Sequence, residues 1–163
     1  MKRKRSFRRA QAGFSLIELL IVVAIIAILA TVAVPRLMDS LKAGRESAAI
    51  QTLRTVHSGQ ATLQASKQRF GTLKELSEAG QLDSNYASGN PVSGYIYTSA
   101  AEVTQDKYCV QATRQEASTA SRDFNVIEDG TIRYVESKSP GPIPHGEGAP
   151  LASAGTAPGT GDK

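Results

Sequence analysis

The stretch GFSLIELLIVVAIIAILATVAVP, residues 13–35, decides the fold. From Phe14 to Val34 it runs 21 residues with a single charge, Glu18. At about 1.5 Å per residue a helix of that length covers roughly 30 Å, the hydrocarbon thickness of a bilayer. Ile, Val, Leu and Ala occupy it all round, so it has no polar face to offer water. Such a helix must be covered by lipid or by other copies of itself. Glu18 is out of place in it, because an unpaired charge inside a membrane costs about 2–4 kcal/mol even on lenient scales.

Ahead of the apolar run stands MKRKRSFRRAQAG, which holds Lys2, Arg3, Lys4, Arg5, Arg8 and Arg9 and no acid. That basic flank predicts a cytoplasmic N-terminus with the rest of the chain crossing outward. A secretory signal peptide would place a small-residue cleavage site after the apolar core, and no clear one follows.

These residues carry a resemblance. The stretch from Gly13 to Pro35, with its basic leader, resembles the class III leader junction of type IV pilins and of the related pseudopilins of type II secretion. The resemblance implies that a prepilin peptidase cuts between Gly13 and Phe14 and that Phe14 becomes the N-methylated first residue. It implies further that Glu18 fills the family's acidic position and Pro35 that of its helix-kinking proline. Other implied partners are copies of the chain in a helical filament, the assembly machinery, and inner-membrane lipid before assembly. The implied location is a single-pass bacterial inner-membrane protein that later joins an extracellular or envelope-spanning filament. Filaments of this kind serve adhesion, twitching motility, DNA uptake or secretion.

Charge is read differently once the leader is set aside. The whole chain sums to +4, but without residues 1–13 it keeps 13 basic and 15 acidic side chains, a balance of −2. Net charge thus gives no support for nucleic-acid binding. The lone Cys109 cannot form an internal disulfide, and the alternation around it predicts a small apolar residue buried in a strand. Many pilins close a C-terminal disulfide loop, and this chain departs from that pattern.

Beyond Pro35, whose missing amide proton predicts a kink, the sequence reads as helix again through residues 36–70. Its apolar side is Leu37, Leu41, Ala49, Leu53, Val56 and Leu63, with Gln60 on the same spacing. Gly44 and Gly59 predict flexibility without a break, and Gly71 a stop. Thr72 and Glu75 form a capping box for a short helix that ends at Gly80, and Ser88-Gly89-Asn90-Pro91 reads as a turn. Strands are expected at 95–98, 107–113, 124–127 and 131–135, the last two joined by Glu128-Asp129-Gly130. The fold class expected is α+β: a long N-terminal helix, membrane-spanning then amphipathic, packed on a small antiparallel sheet. The parts are a leader (1–13), a transmembrane and polymerisation helix (14–35), an amphipathic half (36–70), a head (71–136) and a disordered tail (137–163). The tail assignment rests on composition, since 137–163 holds five of the seven prolines and six of the 14 glycines.

A catalytic constellation is not evident. His57 falls on the amphipathic helix, where a surface or groove position is expected, and His145 in the tail. With one Cys and no close His/Glu cluster, no metal site, cofactor or catalytic residue is expected. Asp106, Glu128 and Asp129 lack the dense spacing of a calcium loop, and the major pseudopilin's calcium loop is likewise not visible. Two alternatives to a pilus subunit stand beside it: a pseudopilin or minor pilin, and a single-span anchored domain that binds a ligand in the envelope. The last requires neither a cut at Gly13 nor any role for Glu18.

Overall fold

The computed structural model describes residues 14–99 and 103–151. The chain divides into two compact units with the boundary after Asp39. The boundary falls inside one helix, α1 (Leu16–Lys67).

In the first unit every described side chain is exposed. Phe14 is 84% exposed and the aliphatic side chains from Leu16 to Val34 lie between 48 and 76%. This is the one helix among the described residues long and apolar enough to cross a membrane. The Thr31 hydroxyl is tied within the helix, as lipid requires, donating to the Ala27 carbonyl at 2.8 Å. Pro35 lies within α1, which continues through it. Lacking an amide proton, it leaves the Thr31 carbonyl without its helical donor.

In the second unit the rest of α1 buries Glu46, Ala49, Thr52, Leu53, Val56, Gly59, Gln60 and Leu63, the three-four spacing of a single stripe. Leu37 and Leu41, expected on that stripe, are instead 59% and 52% exposed. The stripe begins only where the head supplies something to pack against. The helix ends through Gln68, whose φ of +54° puts a non-glycine residue in the left-handed region. Gly71, the expected stop, serves another purpose. A Cβ there would stand 2.7 Å from Leu63 Cδ1, so the lack of a side chain lets the backbone double back against α1 without moving Leu63. Gly59 is likewise a packing glycine, with Leu76 Cδ2 2.9 Å from where its Cβ would be.

Helix α2 (Leu73–Glu78) has the expected ends. Thr72 and Glu75 make the reciprocal capping box. At the other end Gly80 N–H donates to the Ser77 carbonyl and Gln81 N–H to that of Leu76, which caps the last turn around a left-handed Gly80. A single turn, α3 (Ser84–Ala87), follows.

Five strands then form one antiparallel meander: β1 (Tyr95–Ser99), β2 (Cys109–Arg114), β3 (Arg122–Ile127), β4 (Ile132–Glu136) and β5 (Ala149–Pro150). Tyr95, Tyr97, Val110, Ala112, Phe124, Val126 and Ile132 join Ala49, Leu53, Val56 and Leu63 of α1 in the core. The period of two along each strand gives the sheet this one apolar face.

The segment after β4 is ordered further than its composition predicts. Ile143 is buried at 3% exposure, and Ala149 and Pro150 pair with Tyr134 and Arg133 as a fifth strand. The cause is side chains of the sheet that receive this strap's carbonyls. Gln111 Nε2 donates to the Ile143 carbonyl at 2.7 Å and Asn125 Nδ2 to that of Pro144 at 3.1 Å. Over 137–151 the disorder expected from composition gives way to a strap held against the sheet. The rest of the expected tail, residues 152–163, lies outside the described residues.

Candidate functional site

Of the residues singled out from sequence, Phe14 and Glu18 stand at the start of α1 and Pro35 lies well inside it. Gly13 and the leader lie outside the described residues. Phe14 stands just before the helix, exposed. Glu18 sits in the first turn, and its Oε2 accepts a hydrogen bond from Ser15 N–H at 3.2 Å. Glu18 is thus the third helical residue reaching back to the residue before the helix, half of a capping box. That contact satisfies one otherwise orphaned backbone donor and places the carboxylate at the positive end of the helix dipole. Its other oxygen, Oε1, makes no contact with any described residue. The arrangement offers an acceptor on a bare apolar helix, within a turn of Phe14.

The polar contacts described in the head tie its elements together. Among the described residues no group of three or more His, Cys, Asp or Glu could hold a metal ion. His57 is half-buried rather than a plain surface residue, and its Nδ1 lies 2.7 Å from the Tyr108 hydroxyl. This contact ties α1 to the residue preceding β2. Cys109 is buried and free, as its alternation predicts, and burial pushes its thiol up to about 11. A thiol so protonated is a poor nucleophile. His145 belongs to the strap, where Nε2 lies 2.8 Å from Glu128 Oε2.

Sequence reasoning missed the buried polar network. Arg114 and Asp123, 1% and 2% exposed, form an ion pair at 3.7 Å. Asp123 also accepts from Arg114 N–H at 2.8 Å and Gly141 N–H at 3.2 Å, while Arg114 donates to Ser137. Burial raises the Asp123 carboxyl above its ordinary range, although the hydrogen bonds and Arg114 oppose this. Glu46, on the buried stripe of α1, receives Arg122 Nε at 2.8 Å and Ser121 N–H at 2.9 Å. The sequence signal for Glu46 was available, since it keeps helical spacing with Ala49 and Leu53.

The prokaryotic N-terminal methylation motif matches residues 8–34 of the chain. The match takes in the end of the leader from Arg8, the Gly13–Phe14 junction, Glu18 and the apolar run to Val34. It supports the class III signal peptide of a type IV pilin-like or pseudopilin precursor. No curated protein matches the chain.

Proposed function

We propose that this chain is a structural subunit of a type IV pilus-like filament. It is cut between Gly13 and Phe14 by a prepilin peptidase, methylated at the Phe14 amine, and held in the inner membrane by the start of α1. The assembly machinery then draws it into a helical polymer. The observation that carries this reading is the wholly exposed apolar helix from Leu16 to Val34 with one carboxylate in its first turn, under a matched methylation motif. Lipid covers that surface before assembly and the same surface of other copies covers it afterwards.

The exchange gains little hydrophobic energy, because lipid tails are as apolar as Leu. Close packing of side chains and polar contacts must favour the filament. Cutting frees a cationic amine at Phe14, and in this reading Glu18 receives the amine of a neighbouring copy; its first-turn position and its Oε1, which has no hydrogen bond to a described residue, support that. Such a buried pair adds little net stability but fixes which register two helices adopt. Pro35, by removing a hydrogen bond midway, supplies a point where α1 bends to follow the polymer.

Two variants test this in the cell. Gly13→Leu leaves the chain at leader-bearing mass in the membrane fraction. Glu18→Ala is cut normally but is missing or strongly depleted from the sheared surface fraction. Both variants reaching that fraction like the wild type contradicts the reading.

A further inference from the structure

The head holds a cavity that the filament reading does not use. It is an open groove of about 600 Å³ between the second half of α1 and the α2–α3 connection, a volume within the usual range for small-molecule sites. Gln51, Thr52 and Thr55 form its helix wall, and Gln81, Asp83 and Tyr86 face them from the connection. The side-chain amides of Gln51 and Gln81 make no hydrogen bond within the described structure, and Asp83 keeps one carboxylate oxygen free after capping α3 with the other. Tyr97 does not line the groove; its hydroxyl, in a side chain only 3% exposed, lies near Thr52 of the helix wall with no partner in hydrogen-bonding geometry. Tyr86 is held against the Tyr97 ring edge-to-face at 5.2 Å, which fixes it as one wall.

We propose that this cavity binds a neutral sugar. The two exposed amides and the carboxylate oxygen, none committed to another described residue, offer the mixed donors and acceptors that adjacent hydroxyl groups need, since each hydroxyl both donates and accepts. The half-buried Tyr86 ring supplies an apolar surface for the C–H side of a pyranose. Other ligand classes fit less well. No Lys or Arg lines the cavity among the described residues, and Asp83, its one charge, repels phosphates and carboxylates. Leu82 and Ala48 are its only aliphatic lining residues, too little to hold an acyl chain. The inference stands independently of the filament reading, because every residue in it lies in the second unit, outside the apolar run.

Saturation-transfer NMR on the full chain in zwitterionic detergent, which carries no sugar of its own, tests it with cellobiose, chitobiose and lactose as probes and glucose 6-phosphate alongside. The expected result is transfer to at least one neutral disaccharide, weakened about tenfold or more by Gln51→Ala or Gln81→Ala. Both side chains lack partners, so the variants keep the wild-type circular dichroism and melting temperature. Transfer to none of the three disaccharides, transfer untouched by both substitutions, or binding of the sugar phosphate alone overturns the proposal.

Discussion

Replacing Gln60 by Met gives the head a test that separates packing from hydrogen bonding. Gln60 is 0% exposed on the buried stripe of α1. Its amide meets the backbone of one residue twice, on the peptide groups either side of Gly71: Nε2 donates to the Gly71 carbonyl at 2.6 Å and Oε1 accepts from Gly71 N–H at 2.9 Å. That pair fixes where the chain turns back after α1, at a glycine with no room for a side chain. Met has nearly the same volume and leaves no cavity, but it orphans both Gly71 groups. Each orphaned buried group costs about 1–3 kcal/mol, so the loss is about 2–4 kcal/mol once some water enters. For a head of this size that lowers the melting temperature by roughly 10–25 °C. Tyrosine fluorescence of the head during urea unfolding reads it, with the full chain in detergent.

Gln60→Glu adds a second readout of the same contact. A protonated Glu can donate to the Gly71 carbonyl and accept from its N–H; an ionised one cannot donate and is buried unpaired. Its folded-state pKa is therefore raised above the ordinary value of about 4.3. The contact is fully present below that value and lost as pH rises through the folded pKa. This variant is more stable in mild acid than at neutral pH, relative to wild type. A loss below about 0.5 kcal/mol for Gln60→Met, within the range of ordinary surface substitutions, with no acid rescue of Gln60→Glu, refutes the reasoning.

Three further outcomes follow from named contacts. Gly130→Ala destabilises the head by about 1–3 kcal/mol or more, because φ is +73° there and the new Cβ would stand 2.6 Å from His57 Nε2; urea unfolding measures it, and the turn leaves no easy escape. Ile143→Ala loosens the strap at a cost of about 2–5 kcal/mol, seen as faster amide exchange at Leu151, which donates to the Ile132 carbonyl. Glu75 is held at about 2, first by its hydrogen bond to Arg69 and then by the Thr72 backbone. Its folded pKa is lowered, so its contribution is present above the ordinary carboxylate value and lost as pH falls through about 2. An NMR titration of Glu75 shows that midpoint, and the stability change is small because the pair is well exposed to solvent.

How much of this was legible follows from where each signal resides. Local chemistry was readable: the apolar run, the Thr72–Glu75 box, the left-handed Gly80 and the Asp129-Gly130 turn are all set by residues within a few positions of one another. The sheet was readable as alternation, with ends displaced by one or two residues. Roles set by distant partners were not. Gly59 and Gly71 looked like flexible or terminating glycines because Leu76 and Leu63, which crowd them, are found only in the folded chain. Gln60 looked like an interruption of an apolar stripe, and nothing near it in sequence announces the Gly71 peptide. The strap shows the limit most clearly. Its Pro/Gly composition suggests disorder, but Gln111 and Asn125, on strands read mainly for their apolar residues, receive its carbonyls.

The N-terminal site divides in the same way. The placement of Glu18 in a first helical turn could be read from the apolar run that follows it. Its contact with Ser15 could not, because it depends on where α1 begins. The acceptor role proposed for it needs a second copy of the chain.

The most direct test of the central claim is the intact mass and N-terminal sequence of this protein in sheared surface filaments. The account predicts a chain beginning at N-methylated Phe14, lighter by the thirteen-residue leader that ends at Gly13. A chain found only in the membrane fraction and still beginning at Met1 would contradict it.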